Sequence, residues 1–169
     1  MEQTRQCTPA ELEQVMDTYG STVYRLAYSQ LRSASDADDI YQEVFLRYFQ
    51  KRPRFESEEH RKAWLLRVTI NRAKSFAFSP WRRHNVPLED RIVFRQEEVQ
   101  ELDEALGCLE EKDRVLLHLF YYEQLSTRDI AQMLNRKEST VRTQLTRARK
   151  RLGIILKGEE YGEALQENE

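Results

Sequence analysis

The chain has 169 residues, with 27 Lys plus Arg against 29 Asp plus Glu and a formal net charge of −2. Total charge therefore gives no pull toward nucleic acid, and any such pull must come from local patches. The longest run free of Asp, Glu, Lys and Arg, Val115 to Tyr122, falls far short of the roughly twenty apolar residues of a membrane span, and the opening MEQTRQCTPAELEQ has no signal-peptide core.

Few breakers (Gly 5, Pro 4) among long stretches of helix formers predict an all-α chain. We expect two small helical domains joined by a linker, the second with a helix-turn-helix. Cys7 and Cys108 lie far apart, with no second Cys or His at ligand spacing, so neither a zinc site nor a disulfide framework is expected. A reducing cytoplasm fits, with no metal and no cofactor.

The first block is expected over residues 9–79. Leu12, Val15, Met16, Tyr19, Val23 and Leu26 make one helical stripe; Ala37, Ile40, Val44 and Tyr48 make a second, ended by Pro53. Ser35 is the expected cap of that second helix. Its outer side presents Asp39, Gln42, Glu43, Leu46 and Phe49, where two large apolar groups among carboxylates mark either a protein interface or packing on a neighbouring helix.

A third helix is expected to begin near His60, with Leu65, Leu66, Thr69, Ala73 and Phe76 inward and Trp64, Arg67, Asn71, Lys74, Ser75 and Phe78 outward. Between Arg61 and Arg83 lie seven basic residues and no acidic one. Cations interleaved with rings suit single-stranded nucleic acid, because unpaired bases stack while the charges follow phosphates. Trp64 could equally be a core residue of a small bundle, Phe78 less so, and Phe76 is read as core.

Residues 80–100 lose the helical period and read as a linker. The second block, 101–157, opens with Leu102, Ala105, Leu106 and Leu109 and continues through Val115, Leu116, Leu119 and Phe120. Residues 158–169 form an acidic tail. Within this block Ser126, three residues before Asp129, has the pattern of a capping box, and Asn135 stands where a turn needs a left-handed residue.

The following helix turns Val141, Leu145, Ala148 and Leu152 one way and Ser139, Thr143, Thr146, Arg147 and Lys150 the other. From Arg128 to Arg151, eight basic residues stand against Asp129 and Glu138. Hydroxyls and arginines on one helix face are the groups that bond base edges and phosphates in a major groove.

In sequence order, DADDIYQEVFLRYF, AWLLRVTINRAKSF and EKDRVLLHLFYYEQLSTRDIAQMLNRKESTVRTQLTRARKRL resemble the bacterial RNA polymerase sigma factors of the extracytoplasmic-function group, over nearly the whole chain. The resemblance implies a region-2-like first domain, a region-4-like second domain and an alternative sigma factor that helps melt promoters. It implies that Asp39, Gln42, Glu43 and Leu46 dock on core RNA polymerase. It further implies that Arg67, Asn71, Lys74 and Ser75, with the Arg54–Lys62 loop, engage the minus-ten element of promoter DNA, and that Arg142, Thr143, Thr146 and Arg147 enter the major groove at the minus-thirty-five element. An anti-sigma partner is implied too, with no insertion into the membrane.

The chain departs from the pattern at Ser75, where many relatives have Asp, at Phe78, where many have Arg, and in the acidic loop around Glu56, Glu58 and Glu59. A rival reading is a dimeric helix-turn-helix regulator with an N-terminal effector domain, which would bind a palindromic duplex without polymerase. An enzyme is not expected: His60, His84 and His118 are isolated, and no Gly-rich phosphate loop is present.

Overall fold

The computed structural model describes residues 7–79 and 97–158, with residues 97–100 described in backbone only. Every regular element among them is helical. The chain divides into two compact units, Met1–Arg91 and Ile92–Glu169. Residues 80–96, most of the stretch expected as linker (80–100) and including Trp81, Arg82, Arg83 and His84, and the tail beyond Gly158 lie outside the described residues.

The first unit packs three helices, α1 (Pro9–Leu31), α2 (Ala34–Lys51) and α3 (Glu58–Ala77), each against the other two. Thr8 starts α1 with a complete capping box: its hydroxyl accepts from Glu11 N–H, and Glu11 returns a bond to the Thr8 N–H. The core gathers Val23, Ala27, Ala37, Ile40, Val44 and Leu65, all fully buried. Gly20 lets α2 approach closely, since a Cβ there would stand 3.1 Å from the Tyr41 hydroxyl. Buried Gln30 donates from Nε2 to the Ile70 carbonyl, tying α1 to α3.

Two helix starts differ from expectation. Ser33, not Ser35, caps α2 by accepting from Asp36 N–H. Ser57 caps α3 by accepting from His60 N–H, so Glu58–Lys62 are helical and only the first half of the expected Arg54–Lys62 loop is a loop. Glu58 and Glu59 thereby fall in the first turn, where carboxylates complement the positive end of the helix dipole.

The second unit contains α4 (Glu97–Cys108), α5 (Glu111–Leu117), a π-helical turn (His118–Tyr122), α6 (Thr127–Leu134) and α7 (Glu138–Leu156). Helix α4 begins inside the stretch expected to be linker, and Leu102 is exposed. Helix α7 is the hub, packing on α4, α5 and α6. Leu116, Leu119, Ile130, Val141, Leu145 and Ala148 form its buried centre.

Candidate nucleic-acid and polymerase interfaces

Helix α6 is fixed at both ends by the groups the sequence marked. The Ser126 hydroxyl accepts from Asp129 N–H and bonds the Asp129 carboxylate at 2.7 Å. Asn135 closes the helix in the left-handed conformation at φ 53°, its N–H reaching back to Gln132 O. Three residues later, at Glu138, α7 begins, so α6 and α7 form a helix-turn-helix.

On α7, Val141, Leu145 and Ala148 are buried while Arg142, Thr143, Thr146 and Arg147 are all exposed. Thr143 and Thr146 each donate a hydroxyl to the carbonyl four residues back, Ser139 and Arg142, which leaves the hydroxyl oxygens and methyls on the outer face. Arg142 pairs with Glu138 one turn earlier at 2.7 Å. The Thr127 hydroxyl first, and then the Arg142 charge, hold the Glu138 carboxyl below its usual range.

Not every basic residue of this helix stands free on its outer face. Arg151 bonds buried Asp113 of α5 at 2.6 Å. Arg149 stands over the rings of Phe120 and Tyr121 at 5.5 and 5.7 Å. The sequence counted both as part of the cationic patch; Arg151 is turned inward, and Arg149, still exposed, lies against two rings.

In the first unit Arg67, Asn71, Lys74 and Ser75 are all exposed on α3. Phe78, 68% exposed at the end of that helix, stands beside them. Trp64 does not: it is half-buried and meets Tyr48 and Phe55 edge-on at 5.8 and 6.0 Å. Phe55 folds over it from the α2–α3 loop, so Trp64 belongs to the core layer and leaves Phe78 as the open ring.

Asp39, Gln42, Glu43 and Leu46 are likewise exposed on α2, with Leu46 at 56%. Together with Phe76 of α3 they line a shallow notch. Phe76 was read as core and is half-buried against it, one edge reaching this notch. Phe49, expected outward beside Leu46, is partly buried. Arg72 of α3 reaches Glu43 at 3.0 Å.

A wider cleft brings Tyr19 of α1 together with Arg52, Arg54 and Phe55 of the loop and Arg61 of α3. Nothing in the local sequence periodicity marked Tyr19 as more than core. Its hydroxyl donates to Glu58 at 2.6 Å, and burial, then that hydrogen bond, push its pKa up to about 12.

Two family models match this chain: Sigma-70 region 2 over residues 15–83 and Sigma-70 region 4 over residues 99–152. The chain belongs to the sigma-70 family, in its extracytoplasmic-function group. Among its relatives, the RNA polymerase sigma factor SigV of Bacillus subtilis is 26% identical, covering 92% of this chain and 97% of that protein. The ECF sigma factor SigW of the same organism is 26% identical over 82% of this chain and 84% of its own length. The sigma factor RpoE from Bartonella quintana, solved with the anti-sigma factor NepR, superposes with a TM-score of 0.74 at 22% identity, covering 87% of this chain and 97% of that one. CnrH, solved with the cytosolic domain of CnrY, gives 0.67 at 21% identity, covering 90% and 92%. The two structures share the fold of this chain. As an alternative sigma factor it works with core RNA polymerase on promoter DNA to initiate transcription. Among the described residues, no helix is long and apolar enough to cross a membrane.

Proposed function

We propose that three exposed clusters divide the labour of this sigma factor. Asp39, Gln42, Glu43 and Leu46 dock on core polymerase. Arg67, Asn71, Lys74 and Ser75 engage the opening minus-ten element, and Arg142, Thr143, Thr146 and Arg147 read the minus-thirty-five element in the major groove. The observation carrying this reading is that all twelve side chains stand exposed while the inward neighbours of each cluster are buried.

The chemistry of each cluster matches its task. Carboxylates around exposed Leu46 offer an apolar anchor with charges to orient a basic partner surface. Cations and amides with open Phe78 can hold phosphates and an unstacked base, at about 1–3 kcal/mol per stacked base, against a few kcal/mol to extrude it. Threonines and arginines on α7 suit base edges and phosphates.

The chain then acts by binding energy, without catalytic chemistry of its own, in the compartment where polymerase works, the cytoplasm. An anti-sigma partner is part of the proposal, supported by the likeness to a relative captured with NepR. In run-off transcription with bacterial core enzyme, charge reversal at Arg142 with Arg147, or at Arg67 with Lys74, is expected to abolish initiation at start sites the native chain uses. Unchanged initiation by either variant overturns the assignment of that cluster.

A further inference from the structure

One ion pair sits on the boundary between the proposed docking cluster and the proposed minus-ten cluster. Arg72 donates from Nε to Glu43 Oε2 at 3.0 Å, with 38% of the arginine and 46% of the glutamate side chain still open to solvent. Glu43 lies one turn beyond Asp39 on α2. Arg72 follows Asn71 on α3, about 100° further round the helix and so on the flank nearer α2.

An ion pair of this exposure biases its side chains by only about two- to fivefold. A cation brought up by a docking partner can therefore displace it. The carboxylate cannot serve both cations equally well, because the partner's charge would be held in an interface from which water is excluded, whereas Arg72 can turn back to solvent.

We propose that Glu43 and Arg72 form an exchangeable latch. In the free chain Glu43 holds Arg72 against α2, and a cationic side chain of polymerase that engages Glu43 releases Arg72 to join Arg67 and Lys74 on the phosphates of the melted strand. The proposal rests on the assignment of Glu43 to polymerase docking. It gives the two surfaces of one small unit a physical link, so that phosphate grip rises upon assembly.

The test is a double-mutant cycle on the full chain without polymerase, reading anisotropy of a labelled single-stranded oligonucleotide over a range of salt. Glu43→Ala is expected to tighten binding about two- to fivefold and to steepen the log–log salt slope by about 0.7, the share of one additional phosphate contact. Arg72→Ala is expected to cost several-fold more in the Glu43→Ala background than in the native one. Arg72→Lys in the same background is expected to keep most of the slope, because it retains the charge. Equal losses from Arg72→Ala in both backgrounds, or a Glu43→Ala gain with unchanged slope, overturn the latch. A separate titration of Glu43→Ala against core enzyme is expected to show weakened docking. Unchanged core affinity there removes the docking assignment and the release step with it, while the oligonucleotide cycle still decides whether the pair restrains Arg72.

Discussion

Arg151, on the helix proposed to read DNA, spends its guanidinium inward on Asp113, whose side chain is only 3% exposed, at 2.6 Å. The pair fastens α7 to the first turn of α5. It also fixes the rotation of α7, because Arg151 lies on the flank of the Val141–Leu145–Ala148 stripe and holds it against the core.

The two halves of that pair differ in burial, so their removal differs in cost. Arg151→Ala leaves a buried carboxylate and is expected to destabilise the second unit by about 3 kcal/mol. Asp113→Ala leaves an arginine that is 27% exposed and can turn to solvent, so its expected cost is about 1.5 kcal/mol. Urea unfolding of the two variants checks this order. A smaller loss for Arg151→Ala would mean that the helix N-terminus alone satisfies Asp113.

Gln124 adopts φ 55° in the short turn between the π-helical turn and the Ser126 cap. A left-handed conformation costs an ordinary L-residue about 1–2 kcal/mol, more than the roughly 0.5–1 kcal/mol of chain entropy that glycine adds to the unfolded state. Gln124→Gly is therefore expected to stabilise the unit by about 0.5–1 kcal/mol, seen as a rise of a few degrees in its thermal midpoint. Asn135→Gly, at φ 53°, should gain less, since asparagine already tolerates that region.

Helical period and local caps made much of this chain legible. The buried run Val141, Leu145 and Ala148, the Ser126 cap and the left-handed Asn135 all depend on residues within a turn or two of each other. The start of α2 was ambiguous for a local reason: Ser33 and Ser35 each precede an aspartate by three, and their hydroxyls end up 3.5 Å apart. Arg151 on Asp113 and Arg72 on Glu43 join positions 38 and 29 residues apart, so no window of sequence displays them. The π-helical turn was hidden because one bond register changes while the run Val115–Tyr122, free of Asp, Glu, Lys and Arg, continues through it. The three surface clusters came from family resemblance together with the helical wheel.

The aromatic residues of α3 separate core from binding surface in a way that mutation can read. Trp64 packs on Tyr48 and Phe55, so Trp64→Ala is expected to cost about 3 kcal/mol of stability. Phe78→Ala removes a ring that is 68% exposed and should change stability by less than about 0.5 kcal/mol. If Phe78 serves as a stacking platform, the same change weakens single-stranded DNA binding by about 1–3 kcal/mol. Unfolding curves and oligonucleotide titrations of both variants distinguish the roles. Unaltered oligonucleotide affinity in Phe78→Ala would remove that ring from the binding surface.

Tyr19 provides a pH test of how α1 holds the start of α3. Burial acts first, and the hydrogen bond it donates to Glu58 next, to raise its pKa to about 12 from an ordinary value of 10.0. The folded chain thus retains a proton that the unfolded chain releases near 10. The stabilisation from this phenol is complete below about pH 10 and disappears as pH climbs through 12. Tyr19→Phe is expected to be less stable than the native chain at pH 8, with the gap closing across that alkaline interval. Urea unfolding at successive pH values measures the gap, and ultraviolet titration of tyrosinate should lose one component near pH 12 in the variant. A gap that stays constant to pH 12 would show that the phenol's proton is not what joins the two helices.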